Sequence, residues 1–485
     1  MTKTERPRRT TLVRDRPLAV PVPHVGSLPG MVASPPIPLS TAGNRPLSRL
    51  DKVGLSLFIL VLFAFGVITE IRSAFQVTRR TDFGVYVRAA WAVTAGKDLY
   101  TVTDDHGWHY CYPPTFAILL VPLAEPYQFD TQTRHLPFAV SVAIWYVLSV
   151  GCAAFAANAL ASGVVPGAVR WSRRWWYARL VPVYVCIGGV GFTLGRGQVN
   201  LLLIALVAGA FAATVRGRRV ASGAWLAGAA ALKMIPALLV LFPLVRRDWR
   251  ALIGVALGGF VLLGVIPATV WGIPKTIEMN RKPVEVVLLP AVASGGDQTR
   301  AIELHGAKST DSQSVRAVVQ AWIYPDRKTR PHEIDPIASQ IHWSVSGLLV
   351  LITVVVGLRR LTPDPADQLI FLGCLCTVMM LLTPVSHMHY YAMVLPLVSG
   401  LWLRGVARRP NGVSADALTT VVLIVWGIAT ATPLFAGPTF DRLRECGFGT
   451  AFTIALWAFG LRTIGRESNS AANEKPELNV VRLAA

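Results

Sequence analysis

The 485-residue chain is 53% hydrophobic and only 15% charged, with a formal net charge of +20. Soluble proteins carry about 25% charged residues, and apolar runs of roughly 17–25 residues, enough to cross a bilayer, recur along most of this sequence. That argues against a set of soluble domains. It also argues against nucleic-acid binding, because the Arg residues cluster in the N-terminal stretch and in short gaps between apolar runs, as the positive-inside rule produces, and not on a soluble face.

Residues 1–50 are rich in Pro, Arg and Ser without apolar periodicity and read as a disordered basic cytoplasmic tail. No cleavable signal is expected, since the first apolar core lies far from Met1. Spans are expected near 53–70, 136–160, 179–194, 197–215, 220–232 with 236–245, 250–271, 343–358, 366–382, 389–404, 416–434 and 448–464. A cytoplasmic C-terminal tail, 466–485, follows the membrane domain 51–465. Segment 113–124 is apolar but short and proline-bounded, so it is expected not to span. That choice puts the basic loops Arg170–Arg179, Arg216–Arg219, Arg246–Arg250, Arg359–Arg360 and Arg404–Arg409 on the side of the N-terminus. The sequence therefore predicts an all-α polytopic bundle of about 12 spans in the cell membrane, with both termini cytoplasmic. The count takes 220–245 as a hairpin of broken helices around Lys233 and Pro236.

The other face would hold the loop 71–135, the turn Gly195–Gln198, the break at Lys233, a long loop 272–342, Thr383–Tyr390 and 435–447. Polar residues gathered on one side of a bundle mark a functional site. Asp82 opens the first of these loops, either as a helix N-cap or as a carboxylate that takes a proton from a substrate hydroxyl. Tyr86 follows it, and Tyr112 stands before Pro113-Pro114 as an interfacial anchor or a substrate-loop residue. Arg196 sits in a glycine-flanked turn with Gln198 and Asn200 close behind. Arg196 and Lys233 either snorkel to the interface or bind a phosphate group. His387 and His389, spaced i, i+2, cannot share one helical face, so no metal site is expected there. Asp104-Asp105-His106 reads as a solvated turn. The six cysteines lack zinc spacing, and Cys111 and Cys446, both on the outer face, allow a disulfide in an oxidising compartment. No Gly-rich nucleotide cradle follows a strand, so neither ATP nor another cofactor is expected.

Several motifs occur together in order: Thr81-Asp82-Phe83-x-x-Tyr86, Gly96-x-x-Leu99-Tyr100, Tyr112-Pro113-Pro114, Gly197-Gln198-Val199-Asn200, Ala231-Leu232-Lys233-x-x-Pro236 and Thr383-Pro384-Val385-Ser386. Across about residues 50–465 the set resembles glycosyltransferase family 87, membrane enzymes of the GT-C fold that use polyprenyl-phosphate sugars. The resemblance implies an extracytoplasmic active site, inverting transfer and a lipid-linked donor, commonly mannose and in some relatives arabinose. It also implies a lipid or glycan acceptor and Asp82 as the general base. The family often shows Trp-x-His-His after Ser-Pro-x-Ser. Here Thr383 replaces the first Ser, His387 stands at the Trp and Tyr390 at the second His, while His389 keeps its place. Asp311-Ser312-Gln313-Ser314-Val315 loosely matches the family's Asn/Gln-Ser segment.

Chemistry agrees with this resemblance. A phosphate-activated sugar needs one base for the acceptor hydroxyl and cations for the departing phosphate. Asp82 suits the first role, and Arg196, Lys233 and His389 suit the second. The competing class is a flippase of lipid-linked saccharides, which broken helices and intramembrane charges would also suit. A non-catalytic assembly factor would leave the convergence of polar residues on one face unexplained.

Overall fold

The computed structural model describes residues 45–126, 135–292, 303, 312–409, 412–435 and 437–465. The tails and Asp311 lie outside the described residues. Among those described the chain is helical, with only isolated bridges such as Pro46 with Ser172 in place of strands.

Six helices are long and apolar enough to cross a membrane: Arg49–Ala74, Phe138–Val164, Trp249–Val292, Pro336–Arg360, Pro365–Leu382 and Met388–Arg408. Arg173–Val185 and Ile187–Arg196, bent by 71° relative to each other, make a seventh if taken as one span. The sequence suggests about 12 because it also counts 197–215, 220–232, 236–245, 416–434 and 448–464. These segments fold as shorter helices, among them Asn200–Val215, Ala417–Ala431 and Phe448–Thr463. On Arg49–Ala74 the side chains of Leu57, Ile59, Leu60, Val61 and Phe63 are all exposed. So large an apolar surface suits lipid, not water. Pro365–Leu382, by contrast, is buried along nearly its whole length and forms the centre of the bundle.

Polar contacts sort the helix ends into two faces. On one face Asp51 meets Arg173 at 3.3 Å, and Arg174 reaches the Val406 carbonyl at 3.0 Å. Arg246 reaches Gln368 at 2.8 Å, Arg219 faces Asp248 at 3.8 Å, and Arg404 pairs with Asp367. The basic loops therefore share a side. The far ends of the same helices carry Arg196, Lys233 and Thr383. Because Arg219 begins one helix and Asp248 follows the end of the next segment, the chain between them goes out and returns as a hairpin. Its first arm packs on Trp249–Gly259 with backbones almost touching: a Cβ on Gly223 would lie 1.8 Å from the Ala251 carbonyl oxygen. Small residues allow such close approach between membrane helices.

Two expectations need correction. Residues 272–342 are not one long loop. Gly272, non-helical at φ 75°, breaks the helix at a kink, and a second helical stretch resumes beyond it and runs to Val292. Val315–Ile323 forms another helix, and the next starts at Pro336, capped by Asp335. Cys111 and Cys446 are both free thiols. Segment 113–124 folds as Pro114–Leu119 and a short 3-10 turn, Val121–Leu123. At about 1.5–2 Å per residue that falls far short of a roughly 30 Å hydrocarbon core.

Candidate functional site

Asp82 does occupy the N-cap position of Phe83–Thr94, yet its side chain makes no capping bond. The hydroxyl of Thr81 takes that role, accepting from the Phe83 amide at 3.2 Å. The Asp82 carboxylate is directed elsewhere. It accepts a hydrogen bond from Gln198 Nε2 at 2.5 Å and faces Arg196 Nε at 3.8 Å. Its side chain stays 29% exposed, so a substrate can reach it.

The chain path dictates this meeting. Gly197 turns the backbone at φ 66°, where a Cβ would also lie 2.8 Å from Thr81 Oγ1. A glycine meets both demands without strain. The Arg196 carbonyl then accepts from the Asp82 amide at 2.8 Å, and the Gly197 carbonyl accepts from Trp145 Nε1 at 2.8 Å. Beneath the carboxylate runs a buried polar chain. Tyr86 donates to Gln198 Oε1 at 3.0 Å, and its hydroxyl lies 3.2 Å from that of Tyr112. Burial first, then the nearby Asp82 charge, hold the Tyr86 phenol well above its usual range. Its proton therefore stays in place and fixes the orientation of the Gln198 amide, which in turn presents its N–H to Asp82.

Lys233 lies where Arg219–Leu232 stops. A proline ring at Pro236 would collide with the Leu232 carbonyl if the helix continued, and Lys233 is extended at φ −151°. Its Nζ is buried without a hydrogen bond, 4.1 Å from the ring centre of Tyr390 and 5.6 Å from that of Tyr112. The His389 ring packs tilted against Tyr390 with centres 4.8 Å apart and lies 5.6 Å from the His387 ring, within electrostatic reach of Lys233 and Arg196. Its carbonyl is held by Asn200 Nδ2 at 2.9 Å and Thr193 Oγ1 at 3.0 Å.

The structure thus brings Asp82, Tyr86, Tyr112, Arg196, Gln198, Asn200, Lys233, His387 and His389 into one cluster. Within it the contacts separate two kinds of residue. Asp82, Arg196 and His387 retain exposed surface. Tyr86 and Gln198 are buried and bonded to neighbouring protein groups, and the buried Asn200 donates through Nδ2 while its Oδ1 has no hydrogen-bond partner. Sequence reasoning missed Tyr390 and Thr193 as contributors. Tyr390 carried a signal, since it departs from the family's usual His, but its ring over Lys233 is a tertiary fact.

The ring of Tyr390 lies 4.1 Å from Lys233 Nζ, close enough for a cation–π contact. A desolvated cation–π contact is worth about 2 kcal/mol, so Tyr390→Leu should lower kcat/KM about tenfold or more, while Tyr390→Phe, which keeps the ring, should stay within a few-fold. Steady-state turnover of the pair checks this. Equal loss in both would transfer the role to the hydroxyl.

Two other features lie outside the cluster's chemistry. Asp104 Oδ1 accepts from the amides of His106 and Trp108, both at 2.9 Å, so Asp104-Asp105-His106 is a self-bonded turn. A cleft of about 480 Å³ lined by Asp364, Asp367, Arg404 and Arg408 lies at the opposite end of the bundle. Among the described residues no three His, Cys, Asp or Glu side chains converge in a way that could hold a metal ion.

The profile of glycosyltransferase family 87 matches residues 110–384, over half of the chain. The chain belongs to glycosyltransferase family 87. A second profile, YndJ-like protein, matches residues 340–485. Similar curated proteins include a polyprenol-phosphate-mannose-dependent alpha-(1-2)-phosphatidylinositol mannoside mannosyltransferase of Mycobacterium tuberculosis, 26% identical over 72% of this chain and 76% of that protein. A protein of the same description from Mycolicibacterium smegmatis is 24% identical over 83% of this chain and 88% of its own length. Among solved structures, ArnT from Cupriavidus metallidurans in the apo state covers 86% of this chain and 79% of its own, at 15% identity and a TM-score of 0.36. At that score the likeness carries no argument. As a family 87 member the chain is a membrane glycosyltransferase, and the cluster around Asp82 is its candidate active site.

Proposed function

We propose that this glycosyltransferase moves mannose, with inversion, from a polyprenyl-phosphate donor to a hydroxyl of a glycolipid acceptor, at the extracytoplasmic face of the cell membrane. The observation that carries the reading is a carboxylate and cations meeting at one end of the bundle: Asp82 with Arg196 at 3.8 Å, and His389 within reach of Arg196 and Lys233. The basic loops gather at the other end, which the positive-inside rule assigns to the cytoplasm together with both termini. The relatives' names supply the donor and the acceptor class.

In the reaction the acceptor oxygen forms a bond to the anomeric carbon as the bond from that carbon to the phosphate oxygen breaks. The polyprenyl phosphate leaves with the electron pair, and the hydroxyl proton passes to Asp82. Arg196, Lys233 and His389 meet the charge that develops on the leaving phosphate, where fixed donors in a water-poor site act most strongly. Gln198, oriented by Tyr86, keeps the carboxylate aimed.

Purified protein given a polyprenyl-phosphate mannose and a mannosylated phosphatidylinositol should consume donor and yield a product whose new linkage has the opposite anomeric configuration to the donor. Mass spectrometry and NMR read both. A retained configuration would reject Asp82 as a simple base, and turnover with an arabinosyl donor alone would change the sugar.

A further inference from the structure

Arg316 has no role in the chemistry above, yet it is an unusual residue. It is only 4% exposed, and its Nε and Nη2 are buried without hydrogen-bond partners. Among the described residues no carboxylate lies within ion-pair distance of it. Burial lowers its pKa to about 10, which leaves the guanidinium charged at neutral pH. Buried charges are ordinarily paired, and one left without a counter-charge destabilises the fold. No described residue of this chain neutralises it, so the guanidinium can take an external anion.

Its surroundings indicate where. Arg316 lies two residues beyond Ser314, which caps the helix Val315–Ile323 by accepting from the Ala317 amide. The segment just before that cap is tied to the turn that leads into the site: the Gln313 amide donates to the Ser386 carbonyl at 2.5 Å, and the Ser386 amide donates to Ser312 Oγ at 3.3 Å. On the facing helix, His342 is an electrostatic neighbour of Arg316 and contacts the Leu382 carbonyl through Nε2 at 3.2 Å. Trp343 Nε1 and Ser346 Oγ, within a turn of His342, are also buried without partners, as is Ser386 Oγ. Unsatisfied buried donors thus lie on the two segments, 313–316 and 342–346, that contact residues 382–386, and Thr383 of this turn also lines a small pocket with Lys233 and Tyr390.

We propose that Arg316 is the centre of a second anion site that holds the phosphodiester of the acceptor lipid. This rests on the glycolipid-acceptor reading above and deepens it. The donor phosphate has its own cations in Arg196 and Lys233, so a separate cation beside the same turn suits a separate anion. A guanidinium's fixed fork of donors matches a phosphodiester's two free oxygens. Holding that group would orient the acceptor sugar towards Asp82 without any part in bond making, which makes Arg316 a binding residue and not a catalytic one.

The test compares Arg316→Met and Arg316→Lys with the parent protein, using two acceptors: a mannosylated phosphatidylinositol and a neutral alkyl mannoside. For Arg316→Met the KM for the phosphodiester acceptor should rise about tenfold or more, through the lost charge-assisted bonds. The KM for the donor and the kinetics with the alkyl mannoside should stay within twofold, and the melting temperature should not fall. Arg316→Lys should recover part of the loss. Equal loss with both acceptors, a raised donor KM, or a variant that melts lower or fails to fold would each overturn the proposal. A binding arm needs no turnover: phosphatidylinositol in mixed micelles, titrated without donor, should bind the parent more tightly than Arg316→Met. Arg316-dependent binding by a protein that transfers no mannose would leave the site standing and remove the proposed function. Inorganic phosphate that competes as well as the lipid would reduce the site to a general anion site and overturn the assignment to the acceptor.

Discussion

Asp82→Asn should leave a folded protein whose transfer rate is lower by about 10²–10⁴-fold, the usual contribution of a general base. The substitution is nearly isosteric, and the local structure does not depend on the charge. The N-terminus of Phe83–Thr94 is capped by the Thr81 hydroxyl and not by the carboxylate. Gln198 Nε2 can still donate to the amide oxygen of an asparagine, so the chain through Tyr86 to Tyr112 remains oriented. What is lost is the proton acceptor and the charge opposite Arg196. That exposed ion pair contributes at most about 1 kcal/mol, so stability should change little. Turnover measured on detergent-purified variant, beside its melting temperature, separates the two roles. An Asn variant within a few-fold of the parent would remove Asp82 as the base and with it the proposed mechanism.

The sequence pointed to the candidate cluster because Asp82, Arg196 and Lys233 each stand at a local break that apolar patterning exposes. Asp82 follows an apolar run, Arg196 lies between glycines, and Lys233 interrupts another run just before Pro236. Breaks in membrane helices occur at one depth only where protein or water satisfies the backbone, so their shared face could be inferred from loop charges alone. The division of labour within the site was not legible. Whether Asp82 caps its helix depends on the Thr81 rotamer, and the part of Asn200 depends on the position of the His389 carbonyl, 189 residues away in sequence. The helix beyond Gly272 was hidden for a different reason. Its prolines and charged residues, such as Pro274, Lys275 and Glu278, resemble a loop in composition, but the kink at Gly272 lets the chain resume a helix braced by Lys275 with Glu278 at 2.9 Å. Arg316 is a third kind of miss. An arginine in a stretch expected as an external loop reads as solvent-facing, and only tertiary packing shows it buried and without a hydrogen-bond partner at Nε and Nη2.

Lys233→Met should be the second large effect, lowering kcat by about 10²–10³-fold, as the loss of one preorganised donor to a developing negative charge typically does. Methionine keeps the unbranched length and packs against aromatic rings, so it can take the place of the lysine beside Tyr390 and Tyr112. Stability gives an independent reading. Nζ is buried without a hydrogen bond, and an unpaired buried charge costs free energy, so Met should melt no lower than the parent. A lysine that only packed beneath the rings would give a Met variant with unchanged turnover. A lysine that held the fold together would give one that melts lower. The leaving-group role predicts neither: intact or raised melting temperature with a large loss in kcat. Lys233→Arg should not rescue it, because a planar guanidinium cannot take the place of a compact group held 4.1 Å from one ring and 5.6 Å from another. Full turnover in Lys233→Met would leave Arg196 and His389 as the groups that meet the departing phosphate.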